Sequence, residues 1–511
     1  MAPMKVVIVG GGTAGWMCAA ALARLLALPD YDITLIESDE IGTVGVGEAT
    51  LPHIKTFNDM LGIDEAQFMR ETRATFKLGI EFVGWDKPGG RYIHPFGTFG
   101  EPWAGVDFQH HWVRASLAGQ DVGSLQDYSY AVAACREGAF EFPNQDMKSI
   151  RSTYAYAYHF DAGLYADFLR RWTIFRGVKR VEGQVVGIVR NAETGHVESL
   201  TLKSGARIAG DLFIDCSGFR ALLLGQTMNV AWRDWSEWLP CDRALAVPCE
   251  RAGALTPYTR SIAQPGGWIW RIPLQHRTGN GHVFSSRFCS KEQAYEALMQ
   301  SLDGPALAEP RLLRFQAGRR AKAWEGNVVA IGLSSGFLEP LESTSIFLIQ
   351  AAATDLANLM PVGGVIDPRL AAEFNRLFEI HYDRTRDFLV LHYAANARVG
   401  EPLWDHVRTM TLPDSLAHKI ALFEESAAAP DYTLGLFSRD SWLAVLVGQG
   451  IVPRAYNRLA DRIAPPDLEA KLSDLKLRIS TNAAAMTPHD EFVASYCSAA
   501  ADAAGDTVSA A

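Results

Sequence analysis

Residues 5–15 read KVVIVGGGTAG, and this stretch decides the fold. Residues 6–9 form a short β-branched run, as expected for a strand buried on both faces. The glycine pattern G-x-G-x-x-G follows, and residues 16–28 predict a helix rich in Ala and Leu that stops at Pro29. A second apolar run at 33–36 ends in Glu37. Strand, glycines, helix, strand and acid in this order predict a βαβ unit that binds a dinucleotide.

Each part of this unit has a physical task in binding a dinucleotide. Gly10 permits the tight turn, Gly12 lets the backbone approach a pyrophosphate, and Gly15 lets the helix lie close to the strand. The helix N-terminus presents free N–H groups and the positive end of its dipole to the phosphates. Glu37 can accept hydrogen bonds from ribose hydroxyls. The alternative is a merely tight turn between strand and helix.

The composition narrows the class of protein. The chain has 511 residues, of which 48% are hydrophobic and 21% charged, as in globular enzymes. Its net charge is −10 and it has no basic block, so we do not expect a nucleic-acid partner. Seven cysteines show neither a C-x-x-C pair nor the spacing of a metal site, which indicates a reducing compartment. No stretch predicts a transmembrane helix or a signal peptide, so we expect a cytoplasmic protein that does not bind membranes.

A lysine stands in an apolar stretch, TFKLGIEF, at residues 75–82. The alternation predicts one strand whose apolar face carries residues 76, 78, 80 and 82, with Lys77 on the other face. The plain interpretation is an exposed lysine on a half-buried strand. Nearby, His94 and Phe96 lie in a loop rich in Pro and Gly, where aromatic rings belong either to the core or to a pocket.

The middle of the chain predicts further elements of a sheet protein. Residues 157–172 read as an amphipathic helix with its start at Asp161, and residues 181–190 and 197–202 as two strands joined by a turn. Residues 206–220 return to a buried strand that ends in Asp215 and a glycine turn. Such an ending is usual for the returning half of a flavoprotein sheet.

Residues 232–290 alternate strand-like runs with turns and predict an antiparallel sheet. Within this region GGWIWRIPL occupies residues 266–274. Trp268, Trp270 and Ile272 have strand spacing, so they should share one face. Pro273 limits pairing to an edge strand or a strand end.

Residues 326–356 combine a strand, a loop and a helix. A buried strand is predicted at 328–331, a loop with Glu339 and Glu342 at 332–344, and a helix from Ser345 onward. Ser343 and Thr344 would then cap the helix, or the helix N-terminus would hold a small anion. From residue 367 the chain is mostly helical, and the predicted segments are 367–398, 415–428, 441–446 and 466–485.

Four motifs together resemble one family, the flavin-dependent tryptophan and indole halogenases. They are the N-terminal G-x-G-x-x-G, Lys77 in TFKLGIEF, W-x-W-x-I-P at 268–273 and LEPLEST at 338–344. The resemblance runs from residue 5 to about 456. It implies an α/β fold: an FAD-binding two-domain fold like that of the monooxygenases, with a mostly helical C-terminal substrate region.

The resemblance also implies a reaction. Reduced FAD from a separate reductase, O₂ and a halide, bromide or chloride, would yield hypohalous acid, which passes through an internal tunnel to Lys77. Lys77 either hydrogen-bonds the acid or becomes a haloamine. Electrophilic substitution of an aromatic substrate follows, and Glu342 would stabilise the arenium ion and take its proton. Trp268 and Trp270 would form a barrier between substrate and flavin.

The resemblance assigns the remaining site residues in the same way. The halide would lie at Thr344 and Ser345, although the family often has Gly where this chain has Ser345. The residues expected to bind FAD are Gly10, Gly12, Thr13, Ala14, Gly15, Glu37, Val46, Gly47, Ala49, Val185, Asp215, Gly332 and Leu338. Residues 1–100 and 181–345 would form the flavin module, 101–180 an aromatic and helical insertion, 346–497 the helical substrate region and 498–511 a disordered tail.

Two departures from the family pattern bear on function. The region LGLFSRDSW at 434–442 lacks the tyrosine pair with which tryptophan halogenases grip the amino acid. Trp442 remains, and with His94 and Phe96 it could sandwich an indole ring, so we expect indole or an indole derivative as the substrate. Leu333 and Ser334 replace the Gly–Asp pair of many FAD monooxygenases, which counts against a hydroxylase.

Two other functions remain open beside the halogenase. A flavin hydroxylase would give an oxygenated product without halide, and a non-catalytic flavin-binding subunit would give none. The Trp268 and Trp270 wall argues against the first, and the presence of both Lys77 and Glu342 argues against the second. We expect a monomer or a homodimer.

Overall fold

The computed structural model describes residues 2–40 and 47–498. Val46 and the predicted tail beyond Ser498 lie outside these residues. The strands are β1 Met4–Val9, β2 Tyr31–Glu37, β3 Gly47–Ala49, β4 Thr75–Lys77, β5 Gly79–Val83, β6 Arg91–Pro95, β7 Ala157–Asp161, β8 Lys179–Glu182, β9 Val185–Arg190, β10 Val197–Leu202, β11 Arg207–Ala209, β12 Leu212–Asp215, β13 Trp232–Asp234, β14 Arg243–Cys249, β15 Thr259–Gln264, β16 Gly267–Pro273, β17 Thr278–Phe284, β18 Arg311–Arg314, β19 Gly318–Arg320, β20 Trp324–Glu325, β21 Val328–Ala330 and β22 Gly336–Phe337.

The helices come mostly from the second half of the chain. They are α1 Thr13–Leu25, α2 His53–Leu61, α3 Glu65–Glu71, α4 Phe108–Leu117, α5 Tyr130–Glu137, α6 Ala162–Phe175, α7 Lys291–Gln300, α8 Thr344–Asn358, α9 Pro368–Ala394, α10 Pro402–Thr409, α11 Asp414–Ser426, α12 Arg439–Gly448, α13 Pro465–Ala483 and α14 His489–Cys497. The α/β class and the helical C-terminal region are confirmed. Within the part of the chain that the structure describes, no helix is both long and apolar enough to cross a membrane.

A six-stranded sheet carries the predicted βαβ unit. Its order is β20-β21-β12-β1-β2-β8, and all neighbours are parallel except β20 and β21. β1 lies in the interior, between β12 and β2, and its residues from Val6 to Val9 are buried, as the β-branched run predicts. Helix α1 packs against α6 and α8. The strand order places the carboxyl ends of β1 and β2 side by side.

Helix α1 begins earlier and ends earlier than the sequence predicts. It spans Thr13–Leu25 rather than 16–28. The early start follows from the glycine turn, since the helix begins directly after Gly12. The helix ends early because Leu26 is already extended, and Pro29 lies in a separate 3₁₀ turn over Leu28–Asp30.

A seven-stranded sheet forms the second layer, in the order β18-β14-β17-β16-β15-β5-β6. The antiparallel sheet predicted for 232–290 is confirmed, and β5 joins it in parallel to β15. β16 is an interior strand between β15 and β17, and Pro273 is its last residue. The proline therefore marks a strand end rather than an edge strand.

The prediction of one strand over 75–82 is wrong. The stretch forms β4 and β5, which belong to two different sheets, and Leu78 lies between them. The backbone of Leu78 is bonded on both sides, because its N–H donates to Pro257 and its carbonyl accepts from Phe96. Both faces of β4 are covered, so the plain interpretation of Lys77 as an exposed residue is also wrong: Lys77 is 0% exposed.

Three smaller differences concern element bounds. The predicted helix at 157–172 is strand β7 followed by α6, and Asp161 caps α6 by accepting from the N–H groups of Gly163 and Leu164. The predicted strand at 181–190 is interrupted at Gly183, which has a φ of +158°. Five helices, α3, α4, α7, α10 and α14, have no counterpart among the predicted segments.

Candidate active site

A cavity of about 630 Å³ lies at the carboxyl ends of β1 and β2. This is the edge at which open parallel sheets bind nucleotides. Residues of β16 and of the loop before α8 also line it. Among the residues predicted to bind FAD, its wall includes Gly10, Gly12, Thr13, Ala14, Glu37, Gly47, Ala49 and Val185.

The glycine turn forms a cradle in which side chains have no room. Gly10 has a φ of +115°, and a Cβ on it would lie 2.3 Å from the carbonyl oxygen of Cys216. A Cβ on Gly15 would lie 1.8 Å from the carbonyl oxygen of Gly10, so α1 rests directly on the turn. No side chain caps the N-terminus of α1, which leaves its first N–H groups for a ligand. Such a cradle fits the pyrophosphate of FAD.

Glu37 lies on the wall of the same cavity, at the end of β2. Its carboxylate accepts hydrogen bonds from the Arg180 Nε at 2.5 Å and from the Trp16 Nε1 at 3.1 Å. Arg170 stands 3.8 Å away as a second cation. Glu37 is thus fixed in position, and its contact with a ribose stays a prediction.

Four predicted FAD residues, Gly15, Asp215, Gly332 and Leu338, are not among those that line the cavity. Asp215 accepts hydrogen bonds from the backbone N–H groups of Leu223 and Leu224, both at 2.8 Å. A Cβ on Gly332 would lie 2.8 Å from the Cβ of Ala14. The contacts of these four residues with FAD stay predictions.

Trp268 and Trp270 are both among the residues that line the cavity. They project from β16 two residues apart, as expected for one face of a strand. Gly281 on β17 pairs with Trp270, and a Cβ there would lie 2.1 Å from the Trp270 ring. The glycine therefore makes the space that the second tryptophan fills.

Lys77 is enclosed by protein at the end of β4. Its Nζ donates hydrogen bonds to the Thr50 carbonyl at 2.9 Å and to the Ser343 Oγ at 3.0 Å, and it lies 5.1 Å from the Phe96 ring centre. Burial lowers the Lys77 pKa to about 7, although Glu342 counteracts part of this effect. Ser343 also lines the cavity, so one serine joins Lys77 to the cavity wall.

Glu342 is fully buried between two histidines. The His94 Nδ1 lies 2.9 Å and 3.1 Å from its two oxygens, and the His392 Nε2 lies 2.8 Å from one of them. The His392 Nδ1 lies 2.8 Å from the Phe388 carbonyl, so both nitrogens of this ring face acceptors. Burial raises the Glu342 pKa, but His94 and His392 more than offset this and hold it at about 2. Glu342 is therefore a carboxylate at neutral pH.

The loop before α8 does not use its hydroxyl groups as caps. No side chain caps α8, and the Ser343 Oγ accepts from Lys77 instead. Of the two interpretations for Ser343 and Thr344, side-chain capping is therefore wrong. The helix begins at Thr344, which is buried, while Ser345 lies on the cavity wall. The N-terminus of a 15-residue helix thus meets the cavity without a cap.

The predicted substrate residues lie in one aromatic cluster with two rings that the sequence analysis missed. The Phe388 ring lies 5.5 Å from His94 and 5.1 Å from Trp442, and it stacks on Phe437 at 3.8 Å. Phe96 lies 6.2 Å from His94. Phe388 is inside α9, where helical spacing marks it only as core, and Phe437 lies in the segment before α12, so no motif identifies either of them.

The glycine cradle, the sheet arrangement and the buried lysine bonded to Ser343 on the cavity wall define a flavin-dependent enzyme of monooxygenase-like fold. The model of the tryptophan halogenase family matches residues 5–465, and the chain belongs to this family. The family is one of flavin-dependent halogenases, which implies FAD as the cofactor.

Curated relatives and solved structures agree with this family. The chain is 38% identical to tryptophan 6-halogenase SttH of Streptomyces toxytricini, over 88% of this chain and 90% of the relative. It is 36% identical to tryptophan 7-halogenase RebH of Lentzea aerocolonigenes, with the same coverage. The structure of Xcc4156, a flavin-dependent halogenase from Xanthomonas campestris, is 47% identical with a TM-score of 0.94 and covers 98% of this chain and 100% of its own. BrvH from Brevundimonas sp. BAL3 is 42% identical with a TM-score of 0.93, at 97% and 99% coverage.

Proposed function

We propose that this enzyme halogenates indole or an indole derivative, using reduced FAD from a separate flavin reductase, O₂ and bromide or chloride. The observation that carries the proposal is the placement of Lys77. Its Nζ is buried and donates a hydrogen bond to Ser343 on the cavity wall. The negative charge of the Glu342 carboxylate also acts on the Lys77 amine. This arrangement suits the delivery of a reactive halogen to a ring held beside a base.

FAD would be held by the glycine cradle, the α1 N-terminus and Glu37. When bound and reduced, it supplies the oxygen chemistry that converts a halide into hypohalous acid. The free N–H groups at Thr344 and Ser345 suit the halide, because the uncapped end of α8 is the positive end of its dipole. Trp268 and Trp270 would keep the aromatic substrate out of the flavin cavity.

Lys77 would orient the hypohalous acid in either of two protonation states. As an ammonium it has a third N–H beyond those given to Thr50 and Ser343, and this proton would polarise the halogen. As a neutral amine it would attack the halogen of hypohalous acid through its lone pair, and the halogen–oxygen bond would break. One N–H proton would leave with the hydroxide as water, so the haloamine keeps a single N–H for Thr50 or Ser343. A pKa of about 7 makes both states available at neutral pH.

Glu342 would complete the substitution. Its negative charge would stabilise the positive arenium ring, and one of its oxygens would take the ring proton. A carboxylate with a pKa of about 2 is a weak base, but an arenium ion is a much stronger acid than any carboxylic acid. His94 and His392 keep the group ionised and fix its orientation.

The substrate side of the site favours an apolar aromatic compound over free tryptophan. Phe388 and Phe437 stack on each other beside His94, in the region where a tyrosine pair would be needed to hold an amino acid. The more similar solved structures, Xcc4156 and BrvH, are named as flavin-dependent halogenases without a substrate. SttH and RebH are named for tryptophan, so tryptophan is the competing substrate.

The test is mass spectrometry of a reaction with FAD, a flavin reductase, NADH and O₂, in which indole and tryptophan compete. Bromide and chloride are supplied in parallel. We expect halogenated indole in excess over halogenated tryptophan. Halogenated tryptophan as the main product would refute the substrate assignment, and hydroxylated product with either halide would refute halogenation.

A further inference from the structure

A second buried carboxyl group lies in the same loop as Glu342. Glu339 is fully buried, three residues earlier in the chain. Its two oxygens accept hydrogen bonds from the Tyr393 hydroxyl at 3.0 Å and 3.1 Å. Among the described residues it forms no ion pair, whereas Glu342 has two histidines. Burial raises the Glu339 pKa to about 8, so the group is mostly neutral at pH 7.

Glu339 is linked to the tryptophan wall by packing rather than by a hydrogen bond. Within the described residues the buried Trp268 Nε1 has no hydrogen-bond partner. The Trp85 ring packs at 6.1 Å against Trp268 and at 5.3 Å against Tyr393. Consecutive residues of α9 therefore hold both loop carboxyls, since His392 contacts Glu342 and Tyr393 contacts Glu339.

The loop backbone needs such support. Glu339 has a φ of +100° and Ser343 a φ of +58°, which are left-handed conformations that L-residues rarely adopt. Such conformations persist only where the surroundings fix them, and they cluster at functional sites. The Tyr393 hydroxyl at one end of the loop and Lys77 at the other supply this fixation.

We propose that Glu339 is a positioning residue for halogenation: anchored by Tyr393, which packs on Trp85 beside Trp268, it holds the loop that carries Glu342 and Ser343. It thereby sets the share of reduced flavin that ends as halogenated product rather than as wasted oxidation. The inference rests on the proposed function. Glu339 touches neither substrate nor flavin in this role, and it acts through the wall and the loop.

Ionisation of Glu339 would disturb this arrangement. A buried charge without a cation partner would appear at the Tyr393 hydroxyl as the pH rises through about 8. The titratable groups that face Glu339 are the Tyr393 hydroxyl and, behind it, the Cys241 thiol. The pKa of each lies well above its ordinary value because both are buried, so neither titrates in this range.

The experiment measures the coupling ratio, halogenated indole per FADH₂ oxidised, between pH 7 and 9. The variants are Glu339→Ala, Glu339→Gln, which still accepts from Tyr393 but cannot ionise, and Tyr393→Phe. We expect Glu339→Ala and Tyr393→Phe to lower the ratio at least about 5-fold at pH 7 while KM for indole and FAD affinity change less than about 2-fold. The coupling ratio of Glu339→Gln should stay within about 2-fold of the wild-type value at pH 7. Above pH 8 it should not show the decline that we expect for the wild type.

A second readout needs no flavin. Because the folded-state pKa of Glu339 is raised, the stability of the wild-type apoprotein should fall relative to that of Glu339→Gln as the pH rises from about 4.5 to 8. The inference would be overturned if Glu339→Ala had the coupling ratio of the wild type. It would also be overturned if the coupling ratio and the stability depended on pH in the same way in Glu339→Gln as in the wild type. A wild-type enzyme that makes no halogenated indole would instead refute the proposed function.

Discussion

Replacing Lys77 by methionine should abolish halogenation and, at the same time, make the protein more stable. Methionine keeps the length of the side chain and removes the buried amine. A fall in pKa from 10.5 to about 7 corresponds to about 5 kcal/mol, at about 1.36 kcal/mol per pKa unit. This free energy is the cost of keeping the lysine in the folded protein at neutral pH.

The stability gained by Lys77→Met is smaller than this cost, because the variant leaves two hydrogen-bond acceptors without their donor. The Thr50 carbonyl and the Ser343 hydroxyl lose their hydrogen bonds with Lys77, at about 1–2 kcal/mol each. We therefore expect Lys77→Met to raise the free energy of unfolding at pH 7 by about 1–3 kcal/mol. Lys55→Met, which removes an exposed lysine from its pair with Asp59, should change it by less than about 0.5 kcal/mol.

The pH dependence gives the sign of the effect. The Lys77 pKa is depressed in the folded state, so the stability of the wild type is lost as the pH falls from about 10.5 to 7. The advantage of Lys77→Met should be largest at pH 7 and shrink toward pH 10. Urea unfolding at several pH values measures this difference. A variant less stable than the wild type at pH 7, or an advantage independent of pH, would refute the reasoning.

Two further predictions concern the base and the cofactor cradle. Glu342→Gln should lower the rate of halogenation by roughly 10²-fold while FADH₂ oxidation continues, since the base is lost but the flavin cavity is not. Stopped-flow kinetics measures the oxidation and product analysis measures the halogenation. An unchanged rate of halogenation would remove Glu342 from the mechanism. Gly15→Ala should weaken FAD binding by at least about 10-fold, because its Cβ would lie 1.8 Å from the Gly10 carbonyl oxygen and push α1 off the turn. Equilibrium dialysis measures this affinity, and wild-type affinity would contradict the role given to the cradle.

The flavin half of the molecule could be predicted from the sequence because its signals are local. The glycines, the β-branched run and Glu37 lie within about 30 residues, and each has a backbone reason for its position. The shared face of Trp268 and Trp270 follows from strand spacing alone. These features need no knowledge of distant parts of the chain.

The surroundings of Lys77 and Glu342 depend on contacts between distant residues, which no local pattern encodes. Glu342 meets His94 and His392, which lie 248 and 50 residues away in the sequence. The burial of Lys77 follows from the split of one apparent strand between two sheets, and period-two alternation cannot reveal such a split. The sequence predicts that the Ser343 hydroxyl caps a helix. In the structure the Ser343 backbone is left-handed, no side chain caps α8, and the hydroxyl accepts a hydrogen bond from Lys77.

In the proposed mechanism, Lys77 directs a halogen that is made in the separate flavin cavity. The most direct test is a reaction of Lys77→Met with reduced FAD, O₂, bromide and indole in the presence of a soluble trap for hypohalous acid. We predict that the variant oxidises FADH₂ at the wild-type rate and brominates the trap, but yields less than about 1% of the wild-type brominated indole. Brominated indole at close to the wild-type rate would contradict the claim.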